Sequence, residues 1–462
     1  MFSRFKHEIL TGIILLTVVI VGKAPTLHLP YHWDEMGAYV GPAHWLAQDS
    51  LVRVFPGGHP PAQFFGHPPG LYLSLATAYK IFGESIVVSH LYILAFSFLG
   101  VYFTYLLGAF LFDHTTGLIA ALLLFFTPLY FAQSGMVLGE IPITAFGVMS
   151  IYYALRGRFL PYLLCGIFLV LLKETAIAFI AALLIYIFVT EKKGRASIMK
   201  ILKYAIPLFV LGGFLIWQKI TTGNFVGNPY FKSNPAWTLS LTGILSKAGW
   251  VIGWVFLHQY RILLTFIIFL YFIINQKSAW HKSYTLFLII FLLFLGAFSF
   301  IYFGERYVLA FFPYFCITAA GAIVALIPTL KMQWIVAAFI IVAFCSQFYN
   351  HDKGYGNFDS DMQYTDVIAI NQKVCAYIED HFPDSTILAA WPISNQLRQP
   401  YCGYVRQPLL VVNSDKKIDV IVYAPGTNAK SRKLKGLIEQ QDFMLHKRFE
   451  KNGKVIEMYL PR

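Results

Sequence analysis

The sequence carries little charge for its length. Of its 462 residues, only 13% are Asp, Glu, Lys or Arg, whereas 57% are hydrophobic and 17% are aromatic. A soluble domain has roughly a quarter charged residues, and disordered chains, collagens and coiled coils need compositions that this sequence lacks. The shortage of charge excludes those classes and indicates a membrane protein.

Cysteine is also scarce. The five cysteines include no CxxC pair and no Cys/His spacing typical of a metal site, so zinc and thiol redox chemistry lack a motif. The net charge of +13 does not point to nucleic acid, because a polytopic protein collects Lys and Arg in its cytoplasmic loops. We therefore expect no nucleic-acid partner.

Apolar stretches long enough to contribute membrane helices recur along the first three quarters of the chain. They cover residues 9–21, 85–112, 116–132, 142–155, 159–172, 176–189, 201–220, 260–274, 284–303, 308–327 and 334–348. No small-residue cleavage site follows the first stretch, so it is interpreted as a retained helix. The fold class is predicted as an α-helical polytopic membrane protein of about eleven transmembrane helices, spanning residues 1–349.

The orientation is predicted from the positively charged loops, which fall on one side when eleven crossings are drawn. We expect a multi-pass protein of the cytoplasmic (inner) membrane with a cytoplasmic N-terminus. The segments then predicted to lie outside are 27–84 (the first outer loop), 134–141, 173–174, 221–259, 303–307 and everything after residue 349. Most of the candidate functional residues occur in these segments.

The last quarter of the chain changes in composition. Residues 350–462 predict a small extracytoplasmic α/β domain, with helices at 364–381 and 431–440 and strands at 386–391, 418–423 and 455–460. Cys375 and Cys402 would there lie in an oxidising space, so a disulfide closing a loop of about 27 residues is predicted. The alternative is that both are unpaired small residues of the domain core.

The first outer loop contains adjacent acids and two His-Pro motifs. Asp34 and Glu35 follow the first membrane helix, where a carboxylate can act as a general base or simply suit a helix start. His59 and His67 each precede a Pro-Pro pair, and a divalent metal site is an alternative for them although no pair has helical metal-ligand spacing. A helix over residues 71–82 that ends at Gly83 is also predicted.

A second group of charged residues is expected at the same outer level. Glu140 begins a membrane stretch, where a charge needs a partner. Lys173, Arg261 and Arg306 are cations, each of which could be a snorkelling anchor, whereas together they would suit a lipid phosphate. Tyr307 follows Arg306 directly.

Taken in order, these motifs resemble the GT-C class of polyprenyl-phosphate-sugar-dependent membrane glycosyltransferases, especially the protein O-mannosyltransferase and lipid A aminoarabinose transferase branch. The resemblance covers residues 5–349, and its motifs are Asp34-Glu35, His67-Pro68-Pro69, Glu140, Lys173, and Arg306-Tyr307 with Pro313. It implies that Asp34 is the catalytic acid and that Glu140 matches a second-loop acid, which is commonly Asp in the family.

The resemblance implies an inverting transfer of a sugar from a polyprenyl-phosphate donor to a hydroxyl of a lipid, glycan or protein. Asp34 would be the base, with Glu35 and Glu140 as further acids. Lys173 and Arg306 would bind the lipid phosphate, together with Tyr307, His67 and Arg261. No cofactor is required, since cations can stabilise the leaving phosphate, and a divalent metal is an alternative. The rival functions are a transporter or flippase of a lipid-linked saccharide and a non-catalytic scaffold.

Overall fold

The fold is known from a computed structural model. It describes residues 2–55, 67–192, 194–225, 240–275, 281–301, 303–349, 359–412, 418–425, 429–440 and 443–462. Most of the described chain up to residue 349 is helical, and the remainder combines helices with a small sheet. His59 and the predicted boundary at residue 350 lie outside the described residues.

Apolar helices make up the membrane part. Among the described residues, four are long and apolar enough to cross a bilayer: Lys6–Thr26, Ile86–Leu111, Lys282–Phe300 and Glu305–Leu326. Arg195–Tyr204 and Ile206–Thr222 form a pair bent by 47° that meets the same test together. Shorter apolar helices cover His114–Phe126, Glu140–Leu155, Phe159–Leu172, Glu174–Thr190, Leu241–Phe256, Ile262–Asn275 and Leu330–Cys345. Each predicted apolar stretch therefore contains a helix, and the predicted fold class is confirmed.

One apolar helix falls where the sequence predicted only an outer loop. Leu241–Phe256 lies within residues 221–259, and the hydroxyl of Ser240 caps it by accepting from the N–H of Gly243 at 3.2 Å. Lys247 and three glycines lower the mean hydropathy of the segment, so its helical character is not obvious from composition. The prediction of a loop was wrong here, and the error matters because this helix contributes to the candidate site.

Close packing of neighbouring helices depends on small residues. A Cβ on Gly108 would lie 2.8 Å from the Cα of Gly117, so the Ile86–Leu111 and His114–Phe126 helices approach through glycines. Asp113 begins the second of these helices and accepts a hydrogen bond from the N–H of Thr116 at 2.7 Å. Apolar side chains remain exposed on the outside of the bundle, as lipid contact requires.

The first outer loop folds back over one end of the bundle as short helices. A π-helical turn at Glu35–Val40 leads into Gly41–Gln48, followed by Leu51–Val54 and Gly70–Phe82. Gly83 ends the last of these with φ of 82°, a conformation that favours glycine. The predicted helix ending at Gly83 is therefore confirmed.

The C-terminal part is a four-stranded sheet with helices. The strands β1 (Ile387–Ala389), β2 (Val420–Tyr423), β3 (Phe443–Lys451) and β4 (Lys454–Pro461) lie in the order β1-β2-β4-β3. Only β1 and β2 are parallel. The helices here are Tyr364–His381, Ile393–Arg398 and Ala429–Gln440. The small α/β region was predicted, but β3 and the Ile393–Arg398 helix were not.

The C-terminal region packs directly on the first outer loop. The hydroxyl of Tyr404 donates to the carbonyl of Tyr31 at 3.0 Å, and the N–H of Tyr31 donates to the carbonyl of Cys402 at 3.3 Å. Nearer the bundle, the side-chain amide of Gln133 donates to the carbonyl of Asp359 at 3.1 Å. These contacts fix the start of the region against the end of the bundle where the candidate site lies.

The predicted disulfide is corrected by the structure. Cys375 and Cys402 are free thiols, each fully buried. The Sγ of Cys402 accepts from the side-chain amide of Asn395 at 3.6 Å, so this thiol sits in a packed, hydrogen-bonded position. Both residues are small core residues, which is the alternative that the sequence left open.

Candidate active site

An arginine at the end of the bundle gathers acids from separate parts of the chain. Nη2 of Arg306 lies 2.6 Å from Oδ2 of Asp34, and Nη1 lies 2.5 Å from Oδ2 of Asp359. Nε of the same guanidinium is 3.7 Å from Oε1 of Glu140, which in turn lies 3.0 Å from Nζ of Lys173. We call Arg306, Asp34, Asp359, Glu140 and Lys173 the Arg306 cluster.

Local structure places Asp34 at the accessible side of this cluster. It precedes the π-helical turn Glu35–Val40, and Trp33 before it has a positive φ of 45°. The side chain of Asp34 is 36% exposed, whereas that of Arg306 is only 13% exposed. Of the two side chains, that of Asp34 is therefore the one that a substrate can reach more easily.

Glu35 points away from this accessible side and into the protein. Its Oε2 accepts from the N–H of His32 and its Oε1 from the N–H of Val137, both at 2.6 Å, and His90 Nε2 lies 3.6 Å from Oε1. The predicted role of Glu35 as a further catalytic acid stays a prediction, since its carboxylate turns away from the accessible side. It ties the first outer loop to the segment before Glu140, which positions Asp34.

Lys173 and Glu140 form the buried side of the cluster. Lys173 Nζ also lies 4.1 Å from the centre of the Tyr307 ring, a cation–π contact. Burial lowers the pKa of Lys173, but Glu140 and the nearby Tyr307 and Tyr39 outweigh it, so the pKa is raised. Lys173 therefore stays charged and holds Glu140 beside Arg306.

Asp359 was not identified from the sequence. It lies just after residue 349, where the last membrane stretch has ended, and the acid pair Asp359 and Asp361 there is the only local signal. Burial raises the pKa of Asp359, and the adjacent Arg306 only partly offsets the increase. Two acids in a polar segment form no pattern that would identify one of them as the partner of Arg306.

A cavity of about 540 Å³ opens beside the cluster. Three of the cluster's side chains border it together with residues of the Leu241–Phe256 helix and the 303–307 segment: Asp34, Arg306, Asp359, Lys247, Trp250, Phe303, Gly304, Glu305 and Tyr307. Lys247 was also missed, and its Nζ donates to the carbonyl of Ile301 at 3.0 Å. Lys173 does not border the cavity and lies behind Arg306, and its predicted contact with a lipid phosphate stays a prediction.

His67 connects the first outer loop to the break between two membrane helices. Its Nδ1 lies 3.0 Å from Oε2 of Glu174, the residue after Lys173. It does not border the cavity, and its predicted place among the phosphate-binding residues stays a prediction. Within the part of the chain that the structure describes, no three His, Cys, Asp or Glu side chains form a group that could hold a metal ion.

Arg261 does not join the cluster either. Its side chain is buried, with Nε donating to the carbonyls of Trp254 and Val255 at 3.0 and 3.2 Å and Nη1 to Oε1 of Gln259 at 2.8 Å. The guanidinium also packs on the Phe312 ring, 4.8 Å from its centre. The structure therefore does not bring Arg261 to the cluster, because its donors bind carbonyls at the end of the Leu241–Phe256 helix, and its predicted phosphate contact stays a prediction.

The chain is similar to a known family and to solved structures. Residues 66–217 match the family model of the dolichyl-phosphate-mannose-protein mannosyltransferases. No curated protein matches the sequence. The fold is similar to that of ArnT from Cupriavidus metallidurans in the apo state, with a TM-score of 0.60 at 13% identity over 99% of this chain and 98% of that one.

Two further solved structures are similar. ArnT from Cupriavidus metallidurans bound to undecaprenyl phosphate has a TM-score of 0.61 at 15% identity, over 96% of this chain and 97% of that one. The Archaeoglobus fulgidus oligosaccharyltransferase in the apo form has a TM-score of 0.50 at 11% identity, over 90% of this chain and 69% of that one. The fold is similar to these structures, which together with the matched family model confirms the predicted resemblance and agrees with the predicted class of enzyme.

Proposed function

We propose that this glycosyltransferase moves a sugar from a polyprenyl-phosphate-linked donor to a hydroxyl acceptor on a lipid, glycan or protein. The reaction takes place at the extracytoplasmic face of the cytoplasmic membrane, in the cavity beside the Arg306 cluster. The observation that carries the proposal is that an exposed acid and a buried arginine, Asp34 and Arg306, meet on the wall of one cavity at 2.6 Å. The undecaprenyl phosphate bound by one structural neighbour supports the choice of donor.

In this reaction Asp34 acts as the general base. It takes the proton of the acceptor hydroxyl while the acceptor oxygen bonds to the anomeric carbon of the sugar. The bond from that carbon to the phosphate oxygen breaks, and the polyprenyl phosphate leaves with the electron pair. Attack from the side opposite the phosphate inverts the anomeric carbon.

The departing phosphate gains negative charge, which cations on the cavity wall can stabilise. Arg306 offers a fork of N–H donors that suits phosphate oxygens, and Lys247 adds a second positive charge. Glu140 and Lys173 keep Arg306 in position from behind. With these cations in place the proposed reaction uses no cofactor or metal, and we expect transfer to persist in the presence of a chelator.

The test is transfer of labelled sugar from a polyprenyl-phosphate-sugar by the purified protein in detergent. Asp34→Asn should lower transfer by about 10² to 10⁴-fold, the usual contribution of general-base catalysis. Asp49→Asn is a matched control, because Asp49 lies in the same outer loop, is 37% exposed and also pairs with an arginine, Arg53, at 3.0 Å. Its activity should equal that of the unchanged protein.

A transporter or a scaffold would give no transfer at all under these conditions. Substantial residual transfer by Asp34→Asn, above about a tenth of normal, would instead remove Asp34 from the role of base.

A further inference from the structure

Arg306 already uses both terminal nitrogens for carboxylates. Nη2 is engaged by Asp34 and Nη1 by Asp359, and all three side chains border the same cavity. A phosphate recognises arginine through these same nitrogens. Each of these nitrogens carries a second N–H, so a donor phosphate that binds Arg306 would lie directly beside the two carboxylates.

The charge of the cluster disfavours a phosphate beside these carboxylates. Three carboxylates (Asp34, Glu140 and Asp359) stand against two cations (Arg306 and Lys173), so one negative charge is in excess when all are ionised. Apart from Asp34, these side chains are between 5% and 13% exposed. A phosphodiester adds a further negative charge, and an uncompensated charge in a buried setting is costly. Lys247 on the cavity wall supplies one further positive charge, and withdrawal or protonation of one carboxylate would relieve the repulsion that remains inside the cluster.

Asp359 is the acid that can do so. Glu140 is held by Lys173 at 3.0 Å, and Asp34 is needed as the base. The backbone around Asp359 is fixed, since its carbonyl accepts from Gln133 and the carbonyl of Ser360 accepts from the side chain of Gln259 at 2.8 Å. A rotation of the Asp359 side chain alone would free Nη1 of Arg306 without moving the C-terminal region.

We propose that Asp359 and the phosphate of the lipid donor are alternative partners of Nη1 of Arg306, so that Asp359 orients the arginine and then yields its position to the phosphate. This inference rests on the proposed function, because it assumes a polyprenyl-phosphate donor in this cavity. Asp359 is thus a positioning residue that also opposes donor binding. Burial raises the pKa of Asp359, and the resulting ease of protonation is consistent with its release of Arg306.

The experiment measures the affinity of the purified full-length protein for undecaprenyl phosphate. If Asp359 competes with the phosphate, Asp359→Asn should bind this lipid about tenfold more tightly, as expected when a close charge pair is removed. Asp359→Glu keeps the charge and should stay within about threefold of the unchanged protein. The matched control is Asp380→Asn, since Asp380 is exposed in the same region and pairs with Arg406 at 2.9 Å; its affinity should be unchanged.

A residue that merely supports Arg306 would behave in the opposite way. Weaker or unchanged binding of the lipid by a folded Asp359→Asn variant overturns the exchange of Asp359 for the phosphate. The proposed donor is still supported in that case if the unchanged protein binds undecaprenyl phosphate. If the unchanged protein binds no undecaprenyl phosphate, both proposals fail.

Should Asp359→Asn not fold, as judged from its thermal unfolding, the lipid-bound structure of the unchanged protein decides. A phosphate oxygen on Nη1, with Asp359 more than about 4 Å away, supports the exchange. Asp359 still paired with Nη1 beside a bound phosphate overturns it.

Discussion

Removing the arginine from its cluster should destabilise the fold and leave a defect that a second change can repair. Arg306→Ala leaves Asp34, Glu140 and Asp359 close together, with Lys173 as the remaining cation of the cluster. Breaking a buried ion pair by removing one partner typically costs about 3–5 kcal/mol, and Arg306 is only 13% exposed. We therefore expect the free energy of unfolding to fall by about that amount.

The repair is the replacement of one acid. Asp359→Asn in the Arg306→Ala background removes one of the three negative charges that face the single remaining cation, and should recover about 1–3 kcal/mol, the cost of leaving a buried polar group without its partner. Unfolding driven by SDS in mixed micelles, followed by circular dichroism, gives the four free energies of the double-mutant cycle. Arg406→Ala is the matched control, because Arg406 also pairs with two acids, Glu379 and Asp380, but is exposed. Its stability should hardly change.

The loss of stability in Arg306→Ala should also depend on pH. Burial already raises the pKa of Asp359, and loss of Arg306 removes the charge that opposes this increase. A carboxyl with a raised pKa is most compatible with the fold below its unfolded pKa of roughly 3.9, and stability is lost as the pH rises through the folded pKa. The deficit of Arg306→Ala should therefore shrink as the pH is lowered. A deficit below about 1 kcal/mol, or an Asp359→Asn change that adds to it, would refute the reasoning.

Three other results are expected from the same structure. Lys247→Ala should raise the KM for the lipid donor about tenfold in steady-state kinetics, because Lys247 supplies positive charge to the cavity wall. Lys247→Arg should restore most of the loss, and an unchanged KM in Lys247→Ala would contradict this role. Glu35→Gln should lower kcat with little change in KM. It should also reduce the free energy of unfolding by about 1–3 kcal/mol, because Glu35 is 2% exposed and accepts hydrogen bonds from two backbone N–H groups. A normal kcat would contradict a positioning role for Glu35. In a Cys345→Ser background, an impermeant maleimide should label Asp49→Cys in intact cells and Arg158→Cys only after permeabilisation, and the reverse pattern would invert the predicted topology.

Much of the fold could be predicted because length and composition encode membrane helices directly. An apolar stretch in lipid satisfies its backbone hydrogen bonds by forming a helix, so each predicted stretch contains one. The Leu241–Phe256 helix was missed because Lys247 and its glycines dilute the apolar signal. Strand β3 was missed because its charged, largely exposed sequence forms a strand through pairing with β4.

The candidate site was predicted in part, for a different reason. The count of charged loops predicted that the segments of Asp34, Glu140 and Arg306 lie on one side of the membrane. In the structure these three side chains lie together. A loop count gives the side of the membrane on which a residue lies, but not its neighbours on that side. It could not exclude Arg261, whose donors turn back to the carbonyls of Trp254 and Val255, or identify Asp359 as the acid on Nη1.

The positions of the charged residues along their helices suggest why they form one unit. Glu140 begins the Glu140–Leu155 helix and Asp34 precedes the Glu35–Val40 turn, places where the helix dipole favours a negative charge. Arg306 lies in the first turn of the Glu305–Phe311 segment, where the same dipole disfavours a positive charge. The acids therefore compensate an arginine held at an unfavourable position.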